Sequence, residues 1–235
     1  MRRPFSRTPL ALAVAATLAP STAGAHDLWL EPQGDALVLR HGHRGGELLD
    51  LDAGKVKVVR CLRGGASAAD VRAASSTTPK ELRTPSRCEV ASAYLDGGYW
   101  SLTPDGERNL PKNQAAGAVR SWRSKQYAKW VDVRSPGARA ALGDELEIVP
   151  VGDLSRVRQG DKATFRVLWQ GKPVAGAVLA IDHQPLGETD ASGECRVRVR
   201  AAEVESVGAT LKRPLATPEA DTVTAEASLT FEVAR

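Results

Sequence analysis

The sequence predicts a mainly β protein made of two Ig-like β-sandwich units. Short segments carry apolar residues at every second position, and clusters rich in Gly, Pro and Asp separate them, at spacings of about ten residues in the second unit. Regular alternation of short strands and turns is typical of sandwiches. The strands predicted in this way are 27–31, 36–41, 55–62, 89–95, 99–103, 146–151, 163–169, 174–182, 194–200 and 222–233.

Three segments follow from this pattern. Residues 1–25 are predicted to be a signal peptide, 26–151 a β-rich N-terminal domain and 152–235 a C-terminal Ig-like sandwich. A turn is predicted at Asp96-Gly97-Gly98, between two strands of the first unit. Residues 115–131 fit neither the helical nor the strand period, so helix and strand both stay open there.

The first 25 residues have the three parts of a secretory signal. Arg2, Arg3 and Arg7 supply the basic start, an apolar run covers 10–18, and Ala23-Gly24-Ala25 has the small-x-small form of a cleavage site. The apolar run is much shorter than the roughly 20 residues of a membrane span. We therefore expect cleavage after Ala25, a periplasmic location and no membrane span in the mature chain.

The net charge argues against nucleic acid as a partner. The whole chain carries +4, and the predicted signal holds three of the 32 basic residues and no acidic one, which leaves +1 for the mature chain. Such a chain has no electrostatic footprint for a phosphate backbone.

The three cysteines are an odd number for an oxidising compartment. Cys61 ends one predicted strand and Cys88 comes just before another, so we predict a Cys61–Cys88 disulfide that restrains the loop between them. Cys195 would then be left over on a strand of the second unit. Three free thiols are the alternative.

Histidines concentrate at the start of the mature chain. Cleavage after Ala25 makes His26 the first residue, so that its α-amine and imidazole can chelate a metal together. If Gln33-Gly34 is a two-residue hairpin loop, His26 lies opposite His41, and His43 falls on the same face. We predict a metal site at His26, His41 and His43. Whether His183, the remaining histidine, joins it stays open.

The donor set limits which metal ions can bind at this site. An amine with two or three imidazoles suits nickel, copper, cobalt or zinc. The mature chain has no methionine, because Met1 leaves with the signal, so a thioether Cu(I) site is excluded. Asp27 or Glu47 could add an oxygen ligand or orient an imidazole. Binding should weaken below about pH 6, where histidine becomes protonated.

Five segments carry a resemblance to a known family. They are the 26–32 motif directly after the signal, His41-Gly42-His43, 125–129, 171–176 and 189–194. With them the chain resembles a bacterial domain-of-unknown-function family described as periplasmic components of nickel/cobalt ABC-type uptake systems. The second unit also resembles carboxypeptidase-regulatory-like domains. The resemblance implies nickel or cobalt as the ion, with copper or zinc as alternatives, and a membrane metal-transport complex as partner.

The resulting prediction is a non-enzymatic periplasmic protein that binds a divalent transition metal and assists its uptake. Two alternatives stay open. One is a secreted β-sandwich scaffold whose first strand merely begins with histidine. The other is a copper enzyme, because a terminal histidine with a second imidazole is the ligand set of the histidine brace. No Ser-His-Asp arrangement, catalytic Cys-His pair or phosphate loop is evident.

Overall fold

The computed structural model describes residues 26–65 and 67–235, so the predicted signal peptide lies outside the described residues. The strands of the first half are β1 (Asp27–Gln33), β2 (Ala36–Gly42), β3 (Val56–Leu62), β4 (Ala69–Asp70), β5 (Ser76–Thr77), β6 (Glu81–Arg83), β7 (Val90–Thr103), β8 (Gly106–Arg108) and β9 (Arg120–Val131). Those of the second half are β10 (Leu146–Pro150), β11 (Lys162–Trp169), β12 (Lys172–Pro173), β13 (Val178–Ile181), β14 (Gln184–Glu188), β15 (Glu194–Arg198), β16 (Val204–Pro214) and β17 (Thr222–Glu232). Two 3₁₀ turns occupy Arg72–Ala74 and Lys112–Gln114.

These strands form three sheets, and the predicted mainly β sandwich class is confirmed. The N-terminal sheet has the order β1-β2-β6-β5, and the C-terminal sheet has the order β10-β11-β12 with β15 on β11. Between them lies a central nine-stranded sheet, ordered β14-β13-β16-β17-β9-β7-β3-β4 with β8 on β7. Within the described ranges, no helix is long and apolar enough to cross a membrane.

Each face of the central sheet covers a hydrophobic core. Ala128 and Trp130 of β9 belong to the core under the N-terminal sheet, with leucines of β1 and β2. Tyr127 and Val131 of the same strand belong to the core under the C-terminal sheet. The two predicted units therefore share one sheet, because β9 of the first pairs in parallel with β17 of the second. The predicted boundary at residue 151 stays a prediction.

The ambiguous segment is resolved as strand β9, and its lack of a clear period has a simple reason. Residues 127–131 are buried consecutively because both faces of β9 are covered. Strands buried on both faces carry continuous apolar runs instead of alternation. The turn predicted at Asp96-Gly97-Gly98 is wrong. The chain continues through it as one strand with a β-bulge, and a Cβ at Gly97 would lie 2.6 Å from the Ser124 hydroxyl.

The predicted register of the β1–β2 hairpin is also wrong. Gly34-Asp35, not Gln33-Gly34, forms the two-residue loop, with Gln33 paired to Ala36. Gly34 takes a φ of +63°, and a glycine at the first loop position is what a type II′ turn requires. Leu28 consequently lies opposite His41. Moving the loop by one residue shifts the pairing by two, so the leucines and histidines still share one face.

The predicted Cys61–Cys88 disulfide is present and links residues 27 positions apart. It ties the end of β3 to a position two residues before β7, and both cysteines lie in the core under the N-terminal sheet. The loop that it closes contains β4, β5 and β6, of which β6 pairs with β2. Cys195 is a free, partly buried thiol on β15.

Replacing Cys61 and Cys88 together by alanine should lower the free energy of unfolding by about 3 kcal/mol, because the unfolded chain regains the entropy of a closed loop. Urea unfolding of the oxidised protein measures the difference. Cys195→Ala is the matched control, since it removes a thiol without opening a loop. Equal stability of the double variant and the native protein would show that the loop is held by its strands alone.

Candidate metal centre

All four histidines of the chain lie in one contiguous cluster. His26 directly precedes β1, His41 lies near the end of β2, and His43 follows that strand. The ring centres of His26 and His43 are 5.1 Å apart, and those of His26 and His41 are 5.7 Å apart. The rings meet edge to face. The structure therefore brings together the three residues predicted for the site.

Continuing the observed register by one residue places His26 opposite His43 instead of the predicted His41, which agrees with the shorter ring distance. Gly42 makes this bend possible. It has a φ of +135°, and a Cβ there would lie 2.4 Å from the carbonyl oxygen of Glu47. The His43 amide donates to that same carbonyl at 2.8 Å. His41 and His43 thus lie on either side of Gly42, at a tightly closed turn.

The start of β1 is fastened to the central sheet by polar side chains. The Gln126 amide donates to the carbonyl of His26 at 2.9 Å and to the Glu226 carboxylate at 3.3 Å. The Ser228 hydroxyl donates to the carbonyl of Leu28 at 2.6 Å. Sequence reasoning missed these three residues, because nothing in a single sequence marks which polar residue of one strand lies beneath another.

His183 comes from the far end of the sequence. It sits in the two-residue turn between β13 and β14, and its ring centre lies 5.7 Å from that of His43. Its Nε2 lies 3.2 Å from a carboxylate oxygen of Asp27. Arg44 fastens the neighbouring turn by donating to the carbonyl of Val204 at 2.7 Å.

Burial sets the electrostatics of the cluster. It lowers the pKa of the His41 imidazole, so that ring favours the neutral form that binds metals. It raises the pKa of the Asp27 carboxyl, against the opposite influence of His183 and His43. Burial likewise raises the pKa of Glu226, and the hydrogen bond from Gln126 opposes it.

A crevice with a cavity volume of about 90 Å³ opens beside the cluster. Its lining includes His26, Asp27, His183, Gln126 and Glu226. Its walls thus combine imidazoles, carboxylates and an amide.

The side chains are gathered without being in coordination geometry. In the part of the chain that the structure describes, no group of three or more His, Cys, Asp or Glu residues has its donors placed to hold an ion as they stand. Glu47, considered as an oxygen ligand, is exposed. The structure gives its backbone carbonyl, not its carboxylate, a contact with a histidine of the cluster.

In the 125–129 segment, which is one of those that carry the family resemblance, both lysines are paired with carboxylates. Lys129 is 3% exposed and pairs with the equally buried Glu147 at 2.6 Å. Lys125 pairs with Glu145, which also accepts from the Tyr127 hydroxyl at 3.1 Å. The two lysines of the segment therefore fasten β9 to the region around β10. Its Gln126 donates to the carbonyl of His26, the residue before β1.

Comparison with known proteins identifies the family. The profile of the family described as Domain of unknown function (DUF4198) matches residues 23–204, and the chain belongs to this family. A protein of Haemophilus influenzae described as uncharacterized is 24% identical over 190 residues, covering 78% of this chain and 80% of that one. The solved structure of the N-terminal four Ig domains of Dscam1 isoform 9.44 aligns with 75% of this chain at 11% identity and a TM-score of 0.25. This chain spans 37% of that one.

In the metal-free protein, His41 should titrate below the ordinary histidine pKa of about 6.5, because burial penalises its charged form. The unfolded chain then binds the proton more tightly than the folded one. This contribution to stability is complete above about pH 6.5 and is lost as the pH falls through the folded pKa. An NMR pH titration of the imidazole protons, assigned with His41→Asn, measures it. A midpoint at or above 6.5 would contradict the expectation.

Proposed function

We propose that the protein binds a divalent transition-metal ion at His26, His41 and His43 in the periplasm and assists its uptake across the cell envelope. The observation that carries the proposal is the gathering of these imidazoles at ring distances of 5.1–5.7 Å. Imidazoles that share one ion at metal–nitrogen distances of about 2.0–2.1 Å have ring centres roughly 5 Å apart. The terminal torsion of histidine is broad, so the rings can reorient towards an ion at little cost.

The N-terminus supplies the second argument. The proposed cleavage after Ala25 would give His26 a free α-amine, which adds a nitrogen to the imidazole of the same residue. The Gln126 bond holds the carbonyl of His26 in place, so the amine would lie on an ordered residue at the edge of the cluster. A ligand held in position before binding loses less entropy when the ion arrives.

The nitrogen donors favour divalent ions that prefer imidazole and amine ligands. Nickel or cobalt is the first assignment, on the resemblance to nickel/cobalt uptake components, and copper and zinc are the alternatives. The partly exposed histidines suit a carrier that passes its ion on to a membrane transport complex. No step of this proposal requires the protein to be an enzyme.

The test is a Ni(II) and Cu(II) titration by calorimetry of the mature protein that begins at His26. We expect submicromolar binding. A Gly-Ser extension ahead of His26 removes the amine chelate and should weaken binding about 10-fold or more, the scale on which even indirect partners of a metal ligand act. His41→Asn and His43→Asn should weaken it in the same way.

The same dipeptide added after Arg235 is the matched control and should change nothing. Equal affinity of both extended forms would place any site away from the N-terminus and contradict the proposed ligand set. Absence of binding in the unextended protein would leave the secreted scaffold as the function.

A further inference from the structure

The turn that carries His183 has positive φ angles at two non-glycine residues. β13 and β14 are joined by Asp182 and His183 alone, with φ values of +48° and +60°. Two positive φ angles are what a type I′ hairpin turn requires, and Asn-Gly is the preferred pair for it. Residues held in sparsely populated backbone conformations concentrate at functional sites. The turn is therefore a place to look for a function of the side chain at its tip.

The contacts of His183 have the form expected of a metal ligand. Its Nε2 lies 3.2 Å from the Asp27 carboxylate, which leaves Nδ1 as the nitrogen available to an ion. Histidines that bind metals generally donate their other ring N–H to a carboxylate or carbonyl, which fixes the ring and makes it a better donor. Asp27 is the first residue of β1 and directly follows His26, so two adjacent residues supply a predicted ligand and the group that orients His183.

The cluster also leaves no histidine of the chain elsewhere. The four are connected by three ring contacts, from His41 to His26, from His26 to His43 and from His43 to His183. Three of them lie on the β1–β2 hairpin and its following turn, whereas His183 lies at the edge of the central sheet. Only the tertiary fold brings the two hairpins together.

We propose that His183 is a fourth imidazole ligand of the centre and that Asp27 positions it. This inference rests on the proposed function, since it concerns the same ion. The centre then links the β1–β2 and β13–β14 hairpins, and His183 lines the crevice beside it. Together with the amine, the donor set reaches five nitrogens. That number exceeds the four ligands of a structural zinc site and suits Ni(II) or Cu(II).

The decisive variant is His183→Asn in the mature protein, because asparagine tolerates positive φ and keeps the turn. We expect its Ni(II) affinity to fall by about 10–100-fold. With Cu(II), we expect the nitrogen couplings in the electron paramagnetic resonance spectrum to change, which a purely structural role would not cause. Gln170→Asn changes another non-glycine residue at positive φ, in the β11–β12 turn of the C-terminal sheet, and is the matched control, with affinity and spectrum unchanged.

The double variant Asp182→Asn/His183→Gly keeps the test falsifiable if the single variant folds poorly. It installs the preferred turn pair, so its Tm should rise by about 2–4 °C. Its Ni(II) affinity should nevertheless fall as in His183→Asn. A more stable protein with a weaker site cannot be explained by misfolding.

The outcomes separate the two proposals. Absence of Ni(II) and Cu(II) binding in the native mature protein would overturn both. Native binding that is lost in His43→Asn but is unchanged in affinity and spectrum in His183→Asn would overturn this inference and leave the proposed function standing.

Discussion

The structure depends on burying both faces of strand β9. Its residues point alternately into two different cores, with Trp130 under the N-terminal sheet and Tyr127 under the C-terminal sheet. Its two neighbours in the central sheet are β7 on one side and β17 on the other. A strand enclosed in this way cannot slip, since a shift of one residue would exchange the two cores' side chains. Everything that is fastened to β9 therefore has a fixed position.

Polar residues on the two faces of β9 hold different neighbours in place. Lys129, whose pKa burial lowers, faces Glu147, and Glu147 also accepts from the backbone amide of Leu142 at 2.7 Å. Removing one partner of such a buried pair costs about 3–5 kcal/mol, because it strands the other charge. Gln126, on the opposite face, holds the carbonyl of His26. The beginning of β1 is thus positioned by the same element that joins the two cores.

The sequence could predict the features that depend on residues close together in the chain. Alternation located most strands, and the positions of Cys61 and Cys88 at strand ends located the disulfide. The hairpin register failed because Gly34 could serve either loop position, and the choice depends on the twist of the paired strands. The β9–β17 pairing joins residues about 100 positions apart. The contact of His183 with His43 is longer in range still, and no periodic pattern encodes such approaches.

Polar groups as well as leucines hold the beginning of β1 in place. Leucines alone would anchor its middle, since Leu28 and Leu30 are almost fully buried. Its first residues instead receive hydrogen bonds from Gln126 and Ser228 to two carbonyls, and the carboxylate of Glu226 beneath them is kept buried although that raises its pKa. Burying polar groups at a strand end costs free energy that apolar packing would not. That cost is explained if, as the proposed function requires, His26 must be held in place beside His43.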